Sequence, residues 1–283
     1  MITSLFVTGS AGRVGRALRA AWGMSAQPVD NVLWSGRYAA QGIDIEWDIA
    51  NTPAPPLPRG AIWLHLAGQT GGDATALAEN RRTADAACLA AHDHQARHLF
   101  FMSSVAVYRP GPGLLSEASL PSPLSPYGAA KLAAEHAAQQ VLAQSPTGLT
   151  VLRLANLAGA DALLGPRVST DILTLDPVPG PARGPERSYI GPVTLASVLR
   201  DLIGLLIAGH AVPSVLNLAQ PPAVAMADML DARGLRWRFG PPNPRVIPRV
   251  AVDTALLSSL VPLAPVTATS LVADLDQLAG AWP

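Results

Sequence analysis

Between residues 4 and 157, short apolar runs of β-type residues alternate with alanine-rich runs at helical spacing, and this alternation leaves few folds open. "SLFVTG" (4–9), "NVLWSG" (31–36), a segment within "GIDIEWDIA" (42–50), "AIWLHLAG" (61–68), "HLFFMSSVAVY" (98–108) and "LTVLRLANL" (149–157) read as strands. "RVGRALRAAWG" (13–23), the stretch from Leu77 to Ala91 and "YGAAKLAAEHAAQQVLAQ" (127–144) read as helices. A βαβα order makes a parallel sheet with helices on both faces, because a parallel crossover needs an intervening element. The expected class is α/β with a doubly wound parallel sheet.

Beyond Leu157 the pattern loosens. Residues 159–187 are rich in Gly, Pro and Arg and read as loop, "VTLASVLRDLIGLLIAG" (193–209) as a helix, and "SVLNLAQ" (214–220) as a short strand. "GPPNPRVIPRV" (240–250) is broken by proline, and two short helical segments close the chain. The expected division places 1–157, with 188–220 returning to it, in a sheet domain. Residues 158–187 and 221–283 form a small, irregular cap without a core of its own.

Apolar residues make up 49% of the 283 residues, enough for a sizeable core, while charged residues make up only 14%. So sparse a charged surface suggests that a partner covers part of it, and a homodimer is expected. Net charge is zero and basic residues are scattered, which argues against nucleic acid or an acidic membrane as partner. "MITSLFVTGS" reads as a first strand, not a signal peptide, and no apolar run reaches the ~18 residues of a membrane span. The single Cys88 cannot form an intramolecular disulfide and fits a reducing, cytoplasmic setting. His92, His94 and His98 have no carboxylate or Cys at ligand spacing, so no metal site is expected.

"TGSAGRVG" (8–15) places Gly9, Gly12 and Gly15 between the first strand and the first helix. Gly9 permits a tight turn, Gly12 lets backbone approach a pyrophosphate, and Gly15 lets helix and strand pack closely. The helix N-terminus offers free N–H groups to phosphates. This is the signature of a Rossmann-type NAD(P) site. The carboxylate that binds ribose hydroxyls in NAD enzymes falls about 20 residues on; here Ser35 stands there, with Arg37 just beyond and Arg13 within the turn. A guanidinium suits a 2′-phosphate, so NADP(H) is expected over NAD(H). Asp48, after the third strand, is placed to reach the adenine amino group.

Tyr127 and Lys131 stand at i and i+4 and share a helix face. An ammonium nearby is expected to lower the phenol's pKa and make Tyr127 a usable acid/base. Ser103 and Ser104 end the strand "FFMSS", on the side of a parallel sheet where ligands bind. A hydroxyl there can hold a substrate oxygen.

Glycine turn, strand-end serines and Y-x-x-x-K, in this order, resemble the extended short-chain dehydrogenase/reductase superfamily, and within it the NAD(P)-dependent epimerase/dehydratase family. "HLAG" (65–68), "ENRRTADAACLAA" (79–91), "SSVAVY" (103–108), "SPYGAAK" (125–131), "LRLANLAG" (152–159) and "RSYIG" (187–191) are similar to that family's segments. The resemblance implies Ser104, Tyr127 and Lys131 as catalytic residues. It implies a cofactor held by Gly9, Ser10, Gly12, Arg13, Val14, Gly15, Ser35, Arg37, Asp48, Ile49, Leu66, Ala67, Gly68 and Asn80, with Tyr127 and Lys131. Asn156 and Arg187 match positions that meet a substrate diphosphate, and Ser104 also touches substrate.

Val105 and Ala106 follow Ser104 where the family's 4,6-dehydratases have Asp-Glu, so dehydration of that kind is disfavoured. Gly191-Pro192-Val193-Thr194 replaces the usual His-Val-Asp-Asp. The expected function is hydride transfer at a secondary alcohol or ketone of a sugar or sugar nucleotide. One alternative is an NADPH-dependent carbonyl reductase acting on a small non-nucleotide substrate. Another is a non-catalytic NAD(P)-binding regulator.

Overall fold

The computed structural model describes residues 3–165, 172–179 and 183–282. The elements are β1 (Ser4–Thr8), α1 (Arg13–Met24), β2 (Asn31–Gly36), β3 (Ile45–Glu46), β4 (Ile62–His65), α2 (Ala74–Asp93), β5 (His98–Ser104), α3 (Pro126–Leu142), β6 (Gly148–Leu154) and β7 (Asn156–Leu157). They continue with β8 (Leu173–Leu175), β9 (Glu186–Ile190), α4 (Pro192–Ile207), β10 (Val215–Leu218), β11 (Gln220–Ala225), α5 (Met226–Ala232), β12 (Trp237–Phe239), β13 (Arg249–Val250), α6 (Ala255–Leu260) and α7 (Ala268–Asp276). Seven strands form one sheet in the order β3-β2-β1-β4-β5-β6-β10, and the pairs from β3 to β5 run parallel. Strand order reverses between β1 and β4, which puts the ligand crevice of such a sheet outside their carboxyl ends. Among the described residues, no helix is long and apolar enough to cross a membrane.

The chain divides into two compact units. The first comprises Met1–Arg109, Leu120–Arg153 and Leu199–Leu216. One core cluster of this unit lies where α2 and α3 cover a face of the sheet. Phe6 and Trp63 meet edge to face with ring centroids 4.7 Å apart, and Phe101 joins the same buried cluster. The helices press on it and on each other through Ala84, Ala87, Cys88 and Ala91 of α2 and Ala134 and Ala138 of α3, all buried. Small side chains let the two helices approach closely, which explains the alanine-rich composition of these segments.

The second unit comprises Pro110–Ser119, Leu154–Val198 and Asn217–Pro283. β9 pairs with β7, β11 and β13, and β12 pairs with β8. Here the structure corrects the expectation of a coreless cap. Leu175, Tyr189, Met229, Leu230 and Leu271 form a buried cluster of their own, to which α5 contributes. The reading as loop also missed β8 and the start of β9. The carboxylate absent from "GPVT" is supplied from elsewhere. Asp274 of α7 accepts the Val193 and Thr194 N–H groups (2.8 and 3.1 Å) and the Thr194 hydroxyl (2.6 Å), and so satisfies the start of α4.

Candidate active site

The glycine turn is built as its spacing predicts. Gly9 has φ +74°, and a Cβ on it would lie 2.5 Å from the Ala67 amide nitrogen. A Cβ on Gly15 would lie 2.6 Å from the Gly9 carbonyl oxygen. Only glycine lets the turn close against the end of β4 and lets α1 settle on the turn. Gly12 is the N-cap of α1 and brings no side chain to cap it, unlike Asp73 at α2 and Ser125 at α3. The first N–H groups of α1 therefore keep their capacity for an anionic ligand.

A cleft opens at this switch point, lined by Thr8, Gly9, Ala11, Gly12, Ser35, Gly36, Arg37, Trp47, Ile49, Leu66, Ala67, Gly68, Gln69, Glu79 and Thr83. Eight of the residues the sequence nominates for the cofactor are among them: Gly9, Gly12, Ser35, Arg37, Ile49, Leu66, Ala67 and Gly68. Others serve the cleft from behind. The Ser10 hydroxyl is buried and donates to the Val7 carbonyl (3.0 Å), so it braces the turn. Gly15 and half-buried Arg13 and Val14 belong to the first turn of α1. Buried Asn80 accepts the Gln69 N–H (3.1 Å) and donates to the Gln69 carbonyl (3.0 Å), which pins the loop after β4. Asp48 turns to Arg37, with Nε–Oδ1 3.5 Å, and accepts from Asn51.

Thr8, Ala11, Gly36, Trp47, Gln69, Glu79 and Thr83 escaped the sequence reading. Helical spacing carried a signal for two of them, since Glu79 and Thr83 are one turn apart on the face of α2 that bears Asn80. The residues present fit a dinucleotide: a side-chain-free turn, an uncapped helix start and an apolar wall of Ile49, Leu66 and Ala67.

Beside the cleft stand Ser104, Tyr127 and Lys131. Successive strand residues point to opposite faces. Accordingly Ser103 turns to the buried Glu135 and donates to it, while Ser104 is half exposed and lies near the Tyr127 phenol, whose pKa it pulls down. Ser104 also accepts the Ala106 N–H (3.2 Å) as the chain leaves β5 for a 3-10 turn at Val105–Val107. Tyr127 is the second residue of α3, after Pro126 and the Ser125 cap, whose hydroxyl accepts the Gly128 N–H (3.0 Å). A Cβ on Gly128 would lie 2.1 Å from the Ala106 carbonyl oxygen. Glycine there lets the start of α3 rest on the 3-10 turn and brings Tyr127 to Ser104.

Lys131 is 6% exposed and donates to the Met102 carbonyl (2.8 Å), with its ammonium 5.7 Å from the Phe101 ring centre. It is the only lysine in the chain; the other 19 of the 20 Lys and Arg residues are arginine. A compact ammonium donates to one carbonyl as a point charge, which a planar guanidinium does not reproduce. Burial lowers its pKa to about 8, against an opposing pull from Glu135.

The expected tuning of Tyr127 by Lys131 needs correction. Burial dominates and pushes the phenol up, with the Ser104 hydrogen bond offsetting part of the rise. The charge of Lys131 bears instead on buried His65, held neutral with its pKa lowered to about 3, mainly by burial. A protonated phenol is the form that can give a proton to a carbonyl.

Asn156 and Arg187 lie in the second unit. Asn156 pairs in register with Tyr189. Arg187 donates to the Glu186 and Ile247 carbonyls (2.8 and 2.9 Å). Among the described residues, no group of three His, Cys, Asp or Glu is placed to hold a metal ion.

Known proteins with this fold extend over the whole chain. MoeE5, solved with UDP-glucose and NAD, shares 21% identity over 96% of this chain and 97% of its own, with a TM-score of 0.73. The UDP-glucuronic acid 4-epimerase from Bacillus cereus, solved with UDP-glucuronic acid and NAD, shares 18% over 98% and 99%, with a TM-score of 0.72. TunA, an NAD-dependent NDP-hexosamine 5,6-dehydratase of tunicamycin biosynthesis, shares 18% over 98% and 97%, with a TM-score of 0.75. No curated protein matches the sequence. Residues 5–174 match the NAD dependent epimerase/dehydratase family, and with the glycine turn, the seven-stranded sheet and the switch-point cleft in place, the chain belongs to that family of enzymes.

Proposed function

We propose that the protein is an NAD(P)-dependent oxidoreductase or epimerase that moves a hydride at a secondary alcohol or ketone of a sugar or sugar nucleotide. The observation that carries this reading is buried Lys131, held by the Met102 carbonyl beside Gly68 of the glycine-turn cleft, with Tyr127 one helical turn away on the same face and Ser104 near it. Bound nicotinamide supplies the hydride acceptor or donor. Ser104 holds the substrate oxygen, Tyr127 moves its proton, and Lys131 carries the positive charge that binds ribose hydroxyls.

In this reading residues 1–157, with 188–220, serve the cofactor, while 158–187 and 221–283 serve the substrate; Asn156 and Arg187 contact the substrate as well. Two of the proteins named above, MoeE5 and the Bacillus cereus epimerase, were solved with UDP-sugars, which supports that class. A cytoplasmic homodimer with small-molecule partners completes the reading, supported by the single buried Cys88 and the low surface charge.

The test is incubation with NAD+ or NADP+ and a panel of UDP-hexoses, followed by analysis of the sugar. Recovery of an epimerised or oxidised sugar is expected. One observation favours the carbonyl reductase as a second reading: both terminal nitrogens of Arg187 are engaged by main-chain carbonyls. If every UDP-sugar returns unchanged while NADPH reduces small ketones, the second reading replaces the first.

The cofactor is further proposed to be NADP(H). β2 ends in Ser35-Gly36 without a carboxylate, and Arg37 lines the cleft. Its partner Asp48 is held at 3.5 Å and is partly exposed, a contact that a 2′-phosphate can outcompete. Arg37→Ala is expected to weaken NADP+ binding about tenfold, or ~1.4 kcal/mol, and to leave NAD+ binding unchanged. Calorimetric titration reads both; tighter NAD+ than NADP+ binding by the wild type would overturn the preference.

A further inference from the structure

A buried polar network lies in the core directly beneath the Ser104–Tyr127–Lys131 group. Arg153 of β6 grips Glu135 of α3 with two hydrogen bonds, Nε to Oε1 at 3.1 Å and Nη2 to Oε2 at 2.7 Å. Ser103 of β5 donates to the same carboxylate, and the guanidinium lies under the Tyr108 ring, 4.8 Å from its centre. Glu135 is 1% and Arg153 5% exposed. Two charges in such a place are costly to desolvate, and an apolar pair of similar volume commonly folds as well. Stability therefore does not explain the pair. Its position does: Ser103 adjoins Ser104, and Glu135 follows Lys131 by one helical turn on the same face.

We propose that the Glu135–Arg153 pair is a positioning device for the active site. It clamps α3 to β5 and β6 in the register that brings Tyr127 to Ser104, and it sets a negative charge one turn below Lys131. The proposal rests on the Ser-Tyr-Lys reading for its purpose, though not for its electrostatics. The groups around Lys131 leave Glu135 as its counter-charge. Tyr127 is a protonated phenol on the same helix. β5 offers the Met102 carbonyl and the Phe101 ring, and β4 offers neutral His65. From α2, the Asn80 amide oxygen approaches the same point above Gly68. Arg153 meets both oxygens of the Glu135 carboxylate.

The single lysine makes the test direct. Protein grown with 13C-lysine gives one Cε signal, and its shift against pH reads the Lys131 ammonium with no substrate present. In the wild type the midpoint is expected near pH 8. In Glu135→Gln it is expected to fall by about one pH unit or more, the ordinary effect of losing a close opposite charge. The alkaline limb of turnover should fall with it, a change that a purely structural role would not produce. Should Glu135→Gln fail to fold, the double variant Glu135→Gln/Arg153→Met removes both charges and leaves no buried ion unpaired; a smaller fall is expected there, because the nearer Glu135 charge is lost together with the opposing Arg153 charge.

An unmoved midpoint in whichever variant folds would overturn the proposal, as would a wild-type midpoint more than a unit below pH 8. Tyr127→Phe, assayed in parallel, separates the two claims. Full turnover in Tyr127→Phe would sink the catalytic reading and leave the electrostatic result standing. An unmoved Lys131 signal beside an inactive Tyr127→Phe would sink only the positioning role.

Discussion

Tyr127→Phe is expected to bind NAD(P) as the wild type does and to lose about 10²–10⁴-fold in turnover, the usual worth of a positioned acid/base. The substitution removes one oxygen at the second residue of α3 and leaves the helix start, with its Ser125 cap, intact. The ring keeps its place, so stability should change little. In the proposed mechanism the oxygen exchanges a proton with the reacting hydroxyl or carbonyl, beside Ser104. With it gone, Ser104 still accepts the Ala106 N–H and can orient a substrate, which accounts for a residual rate. The assay uses whichever substrate class the wild type turns over, with cofactor affinity measured separately. Unchanged turnover would remove Tyr127 from the mechanism.

The pH dependence follows from the two neighbours. Burial raises the Tyr127 phenol, so Tyr127 is protonated across the neutral range. Burial lowers Lys131 to about 8, so its positive charge is present below that pH and lost above it. A reaction that needs the ammonium should therefore decline as pH rises through about 8, well before a free lysine would lose its proton.

Much of this site could be read from the sequence because it is local. The glycine turn and Y-x-x-x-K each fit within one element junction or one helix turn, and their spacing is their geometry. Element ends depended on details the patterns do not show. α2 starts at Ala74, not Leu77, because Asp73 caps it by accepting the Ala76 N–H. The run 98–108 stops being a strand at Ser104, where the side chain bonds back to the Ala106 amide. "LTVLRLANL" splits at Ala155 into β6 and β7, which pair in different sheets.

What was illegible is long-range. Arg153 finds Glu135 across 18 residues, Arg187 finds the Ile247 carbonyl across 60, and Asp274 caps α4 from about 80 residues away. No periodicity encodes such pairings. The α5 segment was hidden by its shortness and by the prolines around it; tertiary burial of Met229 and Leu230 makes it a helix. The lone lysine is a different case: a simple count singles out Lys131, and its spacing from Tyr127 ties it to the candidate site.

Gly128→Ala tests how tightly the fold sets the chemistry. Helix propensity favours the change, since alanine is better than glycine inside a helix by up to ~1 kcal/mol. Packing opposes it. The new methyl would fall 2.1 Å from the Ala106 carbonyl oxygen and 2.9 Å from the Pro123 Cβ, and the first of these is backbone that cannot swing away. Overpacking of this kind costs about 1–3 kcal/mol, so the clash wins and the variant should melt below the wild type. Relief requires α3 to lift from the 3-10 turn at Val105–Val107, and that lift draws Tyr127 away from Ser104. A misplacement of about 1 Å between reacting groups can cost roughly 10²-fold in rate. Turnover should therefore fall by that order, while NAD(P) affinity, which follows the glycine turn of α1, changes little. Denaturant unfolding and steady-state assay together decide the matter. A variant as stable and as active as the wild type would mean that the contact of Gly128 with Ala106 does not set the distance between Tyr127 and Ser104.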